Sequence, residues 1–117
     1  EEERNAYLKE VGLWDRFYKY PKETRDLIAA GEVKVGWTED TMFMAWGQPH
    51  DRLRLTGRPA VRSELFRYRF EVDAEGYIRV WDPKSKTAYK AVSQYQLDVY
   101  VDDSKITEIV KKNGWPD

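Results

Sequence analysis

The sequence of residues 36–49, GWTEDTMFMAWGQP, decides the fold. It predicts a short helix over residues 38–46. Thr38 can cap the first turn through its hydroxyl group, and two acidic residues follow it where the helix dipole favours negative charge. Gly47 is expected to end the helix, and Pro49 prevents it from resuming. The apolar side chains within the helix would then pack on the rest of the protein.

The same stretch could form a phosphate-binding loop, because a glycine precedes the start of a helix. Such loops need several glycines with converging amides, usually followed by a lysine and a hydroxyl residue. Gly36 is instead followed by Trp37, and no lysine follows within the stretch. Glu39 and Asp40 would also repel an anion from the helix N-terminus. The residues therefore favour a helix that packs on the protein core, and they argue against a phosphate-binding loop.

Two further helices are predicted before this stretch, and several strands after it. Apolar residues recur at helical spacing over residues 3–19, and residues 21–30 lie between a proline suited to a first turn and a glycine suited to a C-terminal cap. After Pro49 the apolar spacing changes to every second residue, which is typical of half-buried strands. The predicted strands cover residues 65–72, 77–81, 95–102 and 105–111. This order indicates an α+β domain with an antiparallel sheet.

The composition fits one domain and excludes several kinds of chemistry. The chain has 117 residues, 41% of them hydrophobic, and a net charge of −1. A balanced charge gives no general attraction to nucleic acid or to an anionic membrane. The sequence contains no cysteine, and His50 is its only histidine. Since a metal site or a catalytic triad would need partners for His50, we expect a surface turn residue and neither a metal nor a cofactor.

One segment, residues 51–69, has an unbalanced charge, with six arginines against two acidic residues. Arg67 and Arg69 are expected on the sheet face opposite the core, where they could meet a partner protein, a lipid headgroup or a phosphate. The candidate binding surface comprises Arg54, Arg67, Arg69 and Tyr100. In the alternative interpretation the face is an ordinary solvated one, balanced by three acids of the sheet: Glu71, Asp98 and Asp102.

The stretch 36–49 resembles a signature of the SmpA/OmlA family of small outer-membrane lipoproteins. The matching residues, which form a structural motif, are Gly36, Thr38, Trp46, Gly47 and Pro49. Residues 97–109 are similar to a hairpin that follows in that family. The resemblance covers about residues 27–111 and implies a BamE-like fold, with two helices packed on one face of a three-stranded antiparallel sheet. That fold is also similar to the fold of β-lactamase inhibitory proteins.

Compared with the family pattern, this chain has two additions. Residues 1–20 form an N-terminal helical extension. An inserted hairpin is expected at about residues 73–92, within a family core that covers residues 21–111. We expect one domain over residues 1–117.

The resemblance implies a non-enzymatic protein of the bacterial cell envelope that binds another protein, a component of an envelope complex. It also implies a periplasmic domain held at the outer membrane by a lipid anchor. The first residues, Glu1-Glu2-Glu3 without a methionine, are expected of a mature or trimmed chain. Two alternatives stay open: a periplasmic or secreted inhibitor-like module that binds a protein, and a domain whose arginine patch contacts anionic lipid. A nucleic-acid partner is not expected.

Overall fold

The protein has an α+β architecture in a computed structural model that describes residues 2–81 and 91–116. The helices of these residues are α1 Glu2–Glu10, α2 Trp14–Lys19, α3 Lys22–Ala29 and α4 Glu39–Trp46. The strands are β1 Asp51–Leu55, β2 Ser63–Val72, β3 Ile78–Val80, β4 Ser93–Asp102 and β5 Lys105–Asn113. The predicted order, helices followed by antiparallel strands, is confirmed.

The strands form one antiparallel sheet with β2 and β4 at its centre. β2 pairs with β4 over all ten of its residues, and β4 pairs with β5, which is an edge of the sheet. The turn between β4 and β5 has positive φ at Asp103 (48°) and Ser104 (69°). This is the backbone conformation of tight two-residue hairpins, so the hairpin predicted here is confirmed.

The other side of β2 is shared by two short strands that lie end to end. β1 pairs with residues 63–67 of β2, and β3 pairs with residues 70–72. At their junction the His50 amide donates to the Arg67 carbonyl at 2.8 Å, and the Trp81 amide donates to the Arg69 carbonyl at 2.7 Å. The predicted count of three main strands is therefore too low. β1 joins the sheet because it satisfies backbone groups of β2 that would otherwise stay unpaired.

The helices cover one face of the sheet in two layers. Met42 of α4 is fully buried in a cluster with the inner side chains of β2 and β4. Met44, on the other side of α4, is buried in a second cluster with Leu8, Phe17 and Ile28. The two helices packed on one face of the sheet that the resemblance implies are not confirmed as a BamE-like arrangement. α4 supplies the buried helical side chain of the sheet core, and α3 packs against α4.

The single helix predicted over residues 3–19 is wrong, because α1 ends at Glu10 and α2 begins at Trp14. Gly12 lies between them with a φ of 78°. Glycine adopts this left-handed conformation without steric cost, and it stops a helix. The two short helices can then bring Leu8 and Phe17 into one cluster.

Residues of the structural motif serve the fold. Gly47 ends α4 with φ 75° and ψ −147°, a region of backbone space that is nearly restricted to glycine. Its carbonyl accepts a hydrogen bond from the Tyr68 hydroxyl at 2.7 Å. Gly36 donates its amide to the Ile106 carbonyl at 2.8 Å, which ties the stretch to β5. Pro49 leads the chain into β1, which begins two residues later.

Thr38 occupies the N-cap position of α4, but its side chain does not cap the helix. The hydroxyl instead donates to the Asp40 carboxylate and contacts the Tyr20 hydroxyl at 3.0 Å. Tyr20 also donates to Asp40 at 3.1 Å. The predicted cap is wrong because Asp40 and Tyr20 engage the Thr38 hydroxyl that would otherwise accept a hydrogen bond from the first turn of α4.

The insertion expected at about residues 73–92 falls partly on described residues. The Gly76 amide donates to the Asp73 carbonyl at 3.0 Å, and the chain then returns along β2 as β3. The strand predicted over residues 77–81 is therefore confirmed in the shorter form Ile78–Val80. Residues 82–90, the rest of the expected insertion, lie outside the described part of the chain.

Candidate functional site

Arg67 and Arg69 lie on the outer face of the sheet, opposite the helices, as the alternation of β2 predicts. Arg67 is not available there for a partner. Its Nε lies 3.2 Å from Asp98 Oδ1, and its Nη1 lies 3.6 Å from Asp51 Oδ2. The side chain is 20% exposed. Reversing its charge would place a third carboxylate beside these two, so this change would disturb the fold as well as any binding.

Asp98 is the centre of the outer face and is only 1% exposed. Lys112 Nζ lies 2.9 Å from its Oδ2, while Arg67 and the Gln96 side-chain amide donate to its Oδ1. Burial alone would raise the pKa of Asp98, but these three hydrogen bonds together hold that pKa below its ordinary value. The charged carboxylate therefore links β2, β4 and β5 through their side chains.

Three more arginines are paired with acidic residues. Arg58 forms a bidentate contact with Asp102, with N–O distances of 3.0 and 2.9 Å. On the helix side of the sheet, Arg52 and Arg62 both contact Glu64, at 2.6 and 3.0 Å. The hydrogen bond from Arg52 is the largest influence on the pKa of Glu64 and lowers it. The ion pairs of Asp98 and Asp102 agree with the interpretation of a balanced face.

Arg69 makes no ion pair with a described residue, but other contacts hold it. Its Nε donates to Gln96 Oε1 at 3.2 Å, and its Nη2 donates to the Pro116 carbonyl at 3.1 Å. Its guanidinium lies 5.7 Å from the Trp115 ring centre, and Trp115 contacts Trp81 at 4.9 Å between ring centres. This end of the outer face is therefore closed by an aromatic cluster.

The four residues of the candidate surface are not brought together. Arg67, Arg69 and Tyr100 share the outer face, where Arg58 covers the Tyr100 ring at 5.5 Å from its centre. Arg54 lies on the helix side of the sheet, because it is opposite Glu64 in the register of β1 and β2, and Glu64 faces the helices. The six arginines thus do not form one cationic surface.

The described residues show no constellation for metal binding. No group of three or more His, Asp or Glu side chains that could hold a metal ion occurs among them. His50 approaches Asp51 at 3.8 Å and lies 5.2 Å from the Trp81 ring centre, at the junction of β1 and β3. Within residues 2–81 and 91–116, no helix has the length and apolar character needed to cross a bilayer.

An apolar groove of about 340 Å³ lies between the helices and the end of the sheet that contains β3. Its floor is the inner face of β2, β3 and β4, and its wall is the C-terminal ends of α3 and α4. The residues that define it are Ala30, Trp46, Phe70, Val80, Tyr95 and Leu97. The space stays open because α3 ends at Ala29 and is followed by Ala30 and Gly31, residues too small to fill it. This volume is at the low end of small-molecule sites.

β5 has the longest unpaired edge among the described strands. The Gly114 amide donates to the Gln94 carbonyl at 2.9 Å, and hydrogen-bond directions alternate along an antiparallel ladder, so residues 108, 110 and 112 face β4. The backbone groups that point away from the sheet are those of Ile109, Lys111 and Asn113. Earlier in the strand this edge is covered, since the Ile106 amide donates to the Trp37 carbonyl at 2.8 Å.

The sequence alone does not single out the residues of the groove and of the edge. The alternation of β4 places Tyr95 and Leu97 on the core side, and nothing in β4 shows that they are only half covered. The signal for the groove is the small-residue run 29–31, which lies opposite them in the fold. The edge position of Lys111 follows only from the strand order.

Comparison with protein-family models, curated proteins and solved structures finds no match for this chain. The resemblance to the SmpA/OmlA family therefore rests on the motif in residues 36–49 and on the similar hairpin.

Proposed function

We propose that the protein is a non-enzymatic binding module that captures an extended segment of another protein along β5. The free edge of this strand carries the proposal, because Ile109, Lys111 and Asn113 present backbone groups without partners among the described residues. An added strand would satisfy these groups and extend the sheet. The opposite edge is less suitable, because it is divided between β1, of five residues, and β3, of three.

The charges along β5 favour an acidic partner segment. The strand contains three lysines and one glutamate. Lys112 is committed to Asp98, whereas Lys105 and Lys111 make no ion pair with a described residue. Lysines on an edge strand also discourage pairing between identical edges. Charge complementarity would therefore select an acidic segment over a second copy of this chain.

A proline at position 111 tests this proposal. Lys111→Pro removes an outward amide without removing a hydrogen bond to β4, and proline is tolerated at such edge positions. We expect acid-rich peptides selected from a displayed random library to bind this variant about tenfold more weakly than the parent, the loss expected for one hydrogen bond of roughly 1.4 kcal/mol. Fluorescence anisotropy of the labelled peptides measures the affinity.

Lys111→Ala is the matched control, because it keeps the amide and loses only the side chain. Its affinity should lie between those of the parent and the proline variant. Amide hydrogen exchange shows where the peptide binds. The peptide should slow exchange at residues 109, 111 and 113, because the amides of residues 108, 110 and 112 are already bonded to β4. Equal binding by the proline variant, or protection centred on Arg67 and Arg69, would contradict strand addition at β5.

The cellular setting is a second part of the proposal and rests on the resemblance of residues 36–49. A protein-binding module of this kind would act in the bacterial envelope. Its own full-length precursor would receive a lipid anchor. Labelling the full-length precursor with radioactive palmitate should give a labelled protein in the outer-membrane fraction. An inhibitor of lipoprotein signal peptidase should block its maturation. An unlabelled protein outside the envelope would remove the envelope role and leave the binding role untouched.

A further inference from the structure

The apolar groove between α3, α4 and the sheet has the character of a ligand site. The Phe70 and Tyr95 rings stack on its floor at 4.8 Å, with an angle of 10° between their planes. The Trp46 ring meets Phe70 edge-on at 5.5 Å. Trp46 Nε1 already donates to the Gly31 carbonyl at 2.8 Å, so this polar atom of the wall is satisfied. The apolar side chains that line the groove favour an occupant with an apolar part.

Next to the groove, beside Tyr95, lies a positive charge that makes no ion pair with a described residue. Lys111 is opposite Leu97 in the register of β4 and β5, so its side chain is on the inner face. Its Nζ lies 4.6 Å from the centre of the Tyr95 ring. Burial raises the pKa of Tyr95, so its hydroxyl keeps its proton and can donate a hydrogen bond.

We propose that this groove binds a monocarboxylate with an aliphatic tail, of the medium-chain fatty-acid type. The tail would lie against Phe70, Tyr95 and Ala30, and the carboxylate would meet the Lys111 ammonium group beside the Tyr95 ring. The modest volume of about 340 Å³ favours one short chain over a two-chain lipid. The site does not depend on strand addition, because the tail would lie in the groove and not along the edge of β5, although both would use the charge of Lys111.

Titration with sodium decanoate, below its micelle concentration, tests the proposal. Two-dimensional amide NMR should show shifts confined to the ends of α3 and α4, to the facing residues of β2, β3 and β4, and to the surroundings of Lys111 in β5. Decanol is the matched uncharged probe, and we expect it to bind about tenfold more weakly because it cannot pair with Lys111. Equal affinities for the two probes, or shifts centred on the outer face, would overturn the assignment.

Two variants separate the tail from the head group. Ala30→Phe places a ring in the groove and should weaken decanoate and decanol alike, by tenfold or more. Lys111→Gln, at an exposed position, should lower the affinity for decanoate to that for decanol and leave decanol unchanged. The second variant decides the question even if the first fails to fold. Decanoate binding that Lys111→Gln leaves intact would refute the site, whatever the outcome of peptide binding at β5.

Discussion

Replacing Asp98 with alanine is expected to lower the free energy of unfolding by about 3 kcal/mol. Asp98 is 1% exposed and accepts hydrogen bonds from Arg67, Gln96 and Lys112. Removing one partner of a buried ion pair costs roughly 3–5 kcal/mol, because the remaining charges lose compensation. The lower end applies here, since Lys112 is 45% exposed and can turn towards water. Urea unfolding followed by circular dichroism measures the change.

The matched control is the same substitution in an exposed ion pair. Asp26 pairs with Lys22 one helical turn away, and its side chain is 64% exposed. Asp26→Ala should change the free energy of unfolding by less than about 0.5 kcal/mol. A similarly small change for Asp98→Ala would mean that Arg67 and Lys112 reach water without loss, and the central carboxylate would then not hold the three strands together.

The same carboxylate makes stability depend on pH. The pKa of Asp98 is lower in the folded protein than its ordinary value of about 3.9. Asp98 therefore contributes fully to the free energy of unfolding at a pH above its ordinary pKa. This contribution is lost as the pH falls through the pKa that Asp98 has in the folded protein. Asp98→Asn cannot ionise, so we expect its stability to fall less than that of the parent between neutral pH and acid. Parallel curves for the two proteins would contradict this assignment.

Much of the fold could be predicted from local patterns, because each element depends on its own residues. The end of α4 at Gly47 follows from the backbone freedom of glycine, and β2 follows from its alternation. β1 could not be predicted in this way. Its sequence DRLRL places polar and apolar residues on two exposed faces, and it becomes a strand only because β2 offers unpaired backbone groups beside it.

The arginine patch shows why the candidate site was harder to predict than the fold. Local sequence shows the charges of residues 51–69 but not which of them pair, and two of the partners, Asp98 and Asp102, come from β4. Asp98 is 31 positions from Arg67 in the chain, and only the register of β2 and β4 brings them together. Composition alone would therefore overestimate the charge that this surface offers to a partner.

Replacing Tyr68 with alanine is expected to lower the free energy of unfolding by about 4 kcal/mol. Tyr68 is fully buried, and its ring lies 5.1 Å from the Trp46 ring between centres. Removing a buried aromatic side chain costs roughly 3–5 kcal/mol through lost burial and the cavity that remains. Trp46 is also a wall of the groove, so the same variant should weaken decanoate binding. Urea unfolding and the decanoate titration measure the two effects.

Tyr68→Phe separates the ring from its hydroxyl group. The hydroxyl donates to the Gly47 carbonyl at 2.7 Å, where α4 ends, and its loss leaves that carbonyl without this partner. We expect a cost of about 1 kcal/mol for this variant. The control for Tyr68→Ala is Tyr77→Ala, at a residue that is 72% exposed. It should lower the free energy of unfolding by less than about 1 kcal/mol. If Tyr68→Phe cost as much as Tyr68→Ala, the hydrogen bond to Gly47, and not ring packing, would hold α4 on the sheet.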